Sequence, residues 1–177
     1  MTGKEKAVLG SGKLYVLAYT GEIPEDSVIE TEENRLGDIQ AGATLTYTPT
    51  FYDVKDDLGL YKETFLTAED VTLTSGILTW NANTISKLCS TAKVTEDQEK
   101  GIREIKIGGI QNFVDTKYLV RFVHATNGKK VDIAGQNKAV ISFAFTPDKE
   151  TIINTEFTAT AMDDKGTLIK MTEPIEQ

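Results

Sequence analysis

From Ala43 to Phe51 the chain alternates strictly. Ala43, Leu45, Tyr47 and Phe51 fall on one side with Pro49 in the remaining slot, and Thr44, Thr46, Thr48 and Thr50 fall on the other. Period two with β-branched and aromatic residues predicts an extended strand with one buried face. Pro49 has no N–H to donate, which places it on an edge or at a bulge. Beyond it Phe51 and Tyr52 are adjacent aromatics and the phase is lost. Asp56-Asp57-Leu58-Gly59 is turn chemistry, and Leu60 to Leu66 returns as a second strand. Residues 43–66 are therefore expected to form a long hairpin whose end stands clear of a compact core. A two-stranded projection cannot bury aromatics against itself, so Phe51, Tyr52, Leu58 and Tyr61 are candidate contacts with another chain.

The remaining pattern is strand-rich. Lys13 to Tyr19 has apolar residues on both faces, which suits a central strand covered on both sides. Residues 21–40 are acidic, polar and interrupted by Pro24. So long a loop inside a compact domain needs a role. It is expected to be either disordered or an arm that docks on a neighbouring subunit, with Ile29, Leu36 and Ile39 as its candidate contacts. Val71 to Trp80 reads as the next strand, with a bulge at Ser75-Gly76. Ile85, Leu88, Cys89 and Ala92 stand at i, i+3, i+4 and i+7, predicting one amphipathic helix over 83–92 with Asn81 or Asn83 as N-cap. Glu96 to Gly101 reads as a charged loop and Arg103 to Ile107 as a short strand. Lys117–Thr126 and Lys130–Gly135 flank the hairpin dipeptide Asn127-Gly128. Ala139–Thr146, Ile152–Ala161 and Leu168–Met171 follow as strands. Residues 1–12 and 172–177 are expected to be a flexible lead-in and tail. The whole predicts a single mainly β domain, residues 1–177: an antiparallel β-sandwich or open barrel with one flanking α-helix, a long arm and a projecting hairpin.

Charge sharpens this picture. The 177 residues carry a net charge of −8. From Thr20 to Asp70 there are 13 acidic side chains against Arg35, Lys55 and Lys62, a local −10 that leaves about +2 elsewhere. A surface so charged repels phosphate and disfavours simple nucleic-acid binding. One cysteine, Cys89, excludes an internal disulfide and fits a reducing compartment. No stretch reads as a signal peptide or membrane span, so synthesis in a cytoplasm is expected.

Candidate chemistry is sparse. Gly10-Ser11-Gly12-Lys13 lacks the first glycine and the hydroxyl of a phosphate loop and precedes a strand, where that loop must follow one. His124 is the only histidine and has no ligand partner at metal spacing. Cys89 lies on the helix stripe as a small hydrophobe. Asp56-Asp57 and Asp163-Asp164 sit in turns, and no calcium-loop pattern is present. Trp80 reads as core. No catalytic, cofactor-binding or metal-ligating set is expected.

Several stretches together resemble the tail tube (major tail) proteins of long-tailed bacteriophages, particularly those infecting Gram-positive bacteria. They are G-K-L-Y-V-L-A-Y from Gly12, G-D-I-Q-A-G-A-T-L-T-Y-T-P-T-F-Y-D-V-K-D-D-L-G from Gly37, and Y-L-V-R-F-V-H from Tyr118. S-F-A-F-T-P-D-K-E-T-I-I-N-T-E-F from Ser142 and the later D-D-K-G-T-L complete the set. The likeness runs from about Gly12 to Leu168. It implies a β-sandwich with a side helix and subunits closed into hexameric rings around a continuous inner β-barrel, the rings stacking into a tube. Related inner-tube proteins serve contractile tails and type VI secretion. It further implies a non-enzymatic virion component that conducts DNA from capsid to host cell without binding it specifically. The implied partners are other copies of the chain and the tail terminator, tape measure and tail tip proteins. The alternative is a monomeric β-sandwich module that binds a ligand or carbohydrate through an aromatic platform. A third reading, an enzyme on a β-sandwich, needs a carboxylate pair that the sequence does not single out.

Overall fold

A computed structural model describes residues 10–175. The expected lead-in therefore falls almost wholly outside the described residues, as do the last two residues of the expected tail. The described part is β1 (Gly12–Ala18), α1 (Asp26–Ile29), β2 (Ile39–Lys55), β3 (Lys62–Ile77), α2 (Ala82–Leu88), β4 (Lys93–Asp97), β5 (Ile102–Lys106), β6 (Tyr118–His124), β7 (Lys130–Asn137), β8 (Ile153–Thr160) and β9 (Lys170–Thr172). All strand pairings among the described residues are antiparallel. Six strands run in the order β1-β6-β7-β8-β3-β2, β9 joins β7, and β4-β5 form a separate two-stranded sheet.

The large sheet wraps around one core. Leu14 and Val16 of β1 and Ala43 and Leu45 of β2 come from opposite ends of the strand order, yet they reach the same apolar cluster. Val71, Leu73, Ile77, Val120, Ile133, Ile153 and Phe157 fill its middle, and α2 closes it with Ile85 and Leu88. The architecture is an antiparallel β-sandwich with a flanking helix, open rather than a closed barrel. None of the helices among the described residues is long and apolar enough to cross a membrane.

Five sequence expectations are corrected. The helix ends at Leu88 rather than residue 92. Its start is well fixed, because Asn81 Oδ1 accepts from the N–H groups of Asn83 and Thr84 while Thr84 Oγ1 accepts from the Asn81 N–H. Cys89 at its end has already turned extended, and its side chain is half-buried beside Thr91. Leu60–Leu66 and Val71–Trp80 are one strand, β3, because Thr67 is absorbed as a bulge opposite Thr50 and Phe51. Part of the charged loop at Glu96 is strand β4, paired with β5 through Glu96–Arg103 among others. Thr172 does not fray: it pairs with Lys130. Ala139–Thr146 forms no strand: it belongs to no ladder, and Thr146 makes only an isolated bridge to Lys149.

The β6–β7 hairpin forms around Asn127-Gly128, but β6 ends at His124 and the connection runs over residues 125–129 instead of a tight two-residue turn, with Gly128 at φ +67. At Ser75-Gly76 the irregularity is present, but the extra residues, Ala41 and Gly42, lie on β2. Both take positive φ there. Trp80 packs against the core with Phe143 at 5.3 Å between ring centroids.

Candidate assembly surface

The hairpin is the feature that no compact core explains. β3 pairs with β8 only from Thr72 to Ile77, so beyond Val71 β2 is its sole neighbour among the described residues. From Thr48–Asp70 to the turn the two strands run on alone for eight residues of β2, about 26 Å at a strand's rise. The turn is built as its sequence suggests. Asp56 N–H donates to the Tyr61 carbonyl, Asp56 Oδ1 accepts from the Tyr61 N–H at 2.7 Å, and Gly59 takes φ +69.

The bulge at Thr67 decides what the hairpin shows. By shifting β3 one place it sets Leu66 opposite Phe51 and Phe65 opposite Tyr52. Neighbouring pairs point to opposite faces, so each face of the ribbon carries one apolar pair. All four side chains are exposed, Phe51 and Tyr52 by 60% and 61%. Leu58 and Leu60 at the tip reach 80% and 84%, and Tyr61 beside them is also exposed. Six acids and two lysines lie between Thr48 and Asp70. The ribbon is thus an apolar strip edged with negative charge.

The arm behaves differently from its expectation. Ile29 and Leu36 are fully buried within this same chain, and Ile39 is half-buried against the main core. Side chains so enclosed are not available to a neighbour, which removes Ile29 and Leu36 from the candidate contacts. The cause lies in β1, which is the last strand of the sheet rather than a central one. Its second apolar face, with Tyr15 and Leu17, still needs a cover. The arm supplies it: Ile29 and Ile23 pack on Tyr15, Leu17 and Leu119. It also caps the free edge of β1, since the Val16 N–H donates to the Asn34 carbonyl and the Leu36 N–H to that of Leu14. Thr84 Oγ1 donates to the Leu36 carbonyl at 3.1 Å.

A charge cluster fixes α1 on this face. Arg121 lies opposite Asp132 in the β6–β7 register, and both are buried. Arg121 Nε and Asp132 Oδ1 are 2.6 Å apart, and Arg121 NH1 also reaches Asp26 at 2.5 Å. Lys130 Nζ bridges Asp26 and Glu30 at 2.6 Å each. Burial works against the Arg121 charge, but the Asp132 and Asp26 carboxylates prevail and push its pKa up. The bond from Lys130, then that from Arg121, holds the Asp26 carboxyl below its ordinary range. Lys130 is pushed up by Asp26 and then Glu30. Since the folded pKa of Asp26 is depressed, its contribution is complete above the unfolded value of about 4 and is lost as pH falls through the folded one. The arm is accordingly expected to stay in place at pH 5 and to loosen only below about pH 4. Limited proteolysis across 21–36 along an acid series measures this, and cleavage that already rises between pH 6 and 5 would refute it.

The remaining sequence candidates serve their own turns and strand ends. His124 ends β6 as a buried ring whose Nδ1 accepts from the Thr126 and Asn127 N–H groups at 3.3 Å. Asp56 and Asp163 cap their own turns. No cluster of three metal-ligating side chains occurs among the described residues. Sequence reasoning missed Phe65 and Leu66 as surface groups; both are exposed and neither belongs to the main core. It also missed the Arg121–Asp132 pair, whose signal was a charged residue in the centre of each of two apolar strands.

No family model matches the chain, and no curated protein does. Solved structures similar to it include two from gene transfer agent particles. A chain from the virion of a native gene transfer agent particle gives a TM-score of 0.46 at 10% identity, covering 90% of this chain and 95% of that one. A chain from the tail of an empty gene transfer agent particle, refined with C6 symmetry, gives 0.47 at 11% identity, covering 92% and 96%. At these scores neither likeness fixes a family or a function for this chain.

Proposed function

We propose that the chain is a non-enzymatic structural subunit of a phage-type tail: copies close into hexameric rings, the rings stack, and the tube conducts DNA. The observation that carries this reading is the hairpin. A two-stranded ribbon is marginal alone in water, and this one exposes Phe51, Tyr52, Phe65, Leu66, Leu58 and Leu60. Apolar groups on both faces of a projection are satisfied when other subunits lie on either side of it. The sequence resemblance names a class of protein built in that way. The acidic excess suits a conduit, since a wall that repels phosphate lets DNA pass. In this reading the partners are other copies of the chain first, and the proteins that begin, measure and end the tail after them.

Sedimentation velocity over a concentration series tests self-association. The expected result is a boundary that shifts to much heavier species as concentration rises, with the hairpin required for the shift. A carbohydrate-binding module instead stays monomeric throughout and retains glycans on its exposed aromatics.

A further inference from the structure

The connection between β7 and β8 contains a strand in all but its pairing. From Ala139 to Ala144 burial alternates: Ala139, Ile141 and Phe143 are half-buried, while Val140, Ser142 and Ala144 are exposed. Ile141 and Phe143 rest on the main core. This two-residue period is what a strand imposes, and it is why the sequence predicts one here. Yet among the described residues no backbone N–H from Val140 to Phe145 donates to a backbone carbonyl, and the nearest bridge is Thr146 with Lys149. Val140 and Phe145 stand 83% and 77% exposed. The Ala144 carbonyl accepts from Thr151 Oγ1 at 2.7 Å, but the other backbone groups from Val140 to Phe145 have no backbone partner among the described residues. Such a line beside exposed apolar groups is a template for another strand.

The molecule carries a strand edge that fits. β3 loses β8 after Thr72, so from Lys62 to Asp70 one of its edges is open among the described residues, in line with the edge that β8 occupies further back. The two open segments lie at opposite ends of the subunit. Ile153 pairs with Ile77, Gln40 Nε2 binds Glu150 at 2.8 Å and Phe143 packs on Trp80, all at the root of β3. The free edge begins beyond Val71 and continues to Lys62, at the far end from Ile77 of a 16-residue strand about 50 Å long. The edge is net negative, with Glu63, Glu69 and Asp70 against Lys62, and the connection is neutral, with Lys138 and Lys149 against Asp148 and Glu150, so no like-charge excess opposes their meeting.

The geometry points to strand addition between copies: residues 139–145 of one subunit receive the open Lys62–Asp70 edge of β3 from the next. This rests on the self-assembling reading above and assigns one of its contacts. Because donor edge and acceptor segment sit at opposite ends, the contact is head-to-tail and propagates along an axis instead of closing a pair. Backbone bonds supply the affinity, and the alternate side chains Val140, Ser142 and Ala144 meet one face of the ribbon.

Hydrogen exchange on the full chain, dispersed and assembled, tests the assignment. Amides of 140–145 and of 63–70 are expected to exchange at least tenfold more slowly in the assembled material. A second measurement identifies the partner: in a Cys89→Ser background, Val140→Cys protein is mixed with protein carrying Phe65→Cys, Leu66→Cys or Thr67→Cys. Oxidation of assemblies is expected to link position 140 to one of the three. Assemblies in which 140–145 exchange as in the dispersed chain overturn the assignment. So do links from position 140 only to itself, which mean like-with-like pairing. A chain that never assembles overturns the tail-subunit reading itself, and this contact with it.

Discussion

Replacing Phe51–Leu66 by a two-residue Asn-Gly turn is expected to abolish assembly and leave the domain folded. The two outcomes separate because the ribbon and the core share almost nothing. Val71, Leu73 and Ile77 hold β3 in the core, whereas every residue from Tyr61 to Asp70 is exposed. The excision would join Thr50 to Thr67 close to their existing contact, the Thr67 Oγ1 bond to the Thr50 carbonyl at 3.1 Å. Each large apolar side chain contributes about 1.5–3 kcal/mol when fully buried. Loss of six therefore exceeds the ~8 kcal/mol that a micromolar contact represents. Circular dichroism melting should show a midpoint within a few degrees of the parent, while light scattering shows no polymer. A shortened chain that still polymerises normally would remove the hairpin from the assembly.

The second large effect concerns stability. Arg121→Met leaves Asp132 inside the fold without its partner and also frees Asp26 and Glu30 of one cation. Breaking a buried pair in this way typically costs about 3–5 kcal/mol, because the remaining charge keeps its desolvation cost without compensation. For a domain of this size that lowers the melting point by on the order of 10 °C. The double variant Arg121→Met/Asp132→Leu is expected to regain most of the loss, since it leaves no orphaned carboxylate between the strands. Urea unfolding of the two variants measures both. A cost under about 1 kcal/mol for the single variant would mean that Asp132 is not enclosed as described.

Much of the fold was legible because its signals are local. The strand at Ala43–Phe51, the Asp56–Gly59 turn and the bend at Asn127-Gly128 each act within a few residues and form where they read. The face of that strand expected to be buried is, however, covered at Ala43 and Leu45 and exposed at Tyr47 and Phe51. What failed depended on distant partners. Residues 21–40 looked too polar to pack, yet their few apolar residues were matched to the uncovered face of β1, a relation no local window contains. Ala139–Thr146 shows the reverse: its side chains alternate correctly, but a strand also needs a neighbour for its backbone. The break between Leu66 and Val71 was misread because a bulge moves the phase without ending the strand.

The candidate surface was legible for one reason, that Phe51, Tyr52, Leu58 and Tyr61 fall where a two-stranded ribbon cannot cover them. Phe65 and Leu66 escaped notice because their position opposite Tyr52 and Phe51 depends on the Thr67 bulge. Ile29 and Leu36 were mistaken for surface groups because an acidic run conceals how few apolar residues are needed to fasten an arm whose anchors are also ionic.

Electron microscopy of the purified, concentrated protein tests the central claim most directly. The account predicts hollow tubes or free rings with six subunits in cross-section and a repeat along the axis set by hairpin contacts. A protein that stays monomeric in images at every concentration and ionic strength, with the hairpin intact, would contradict it.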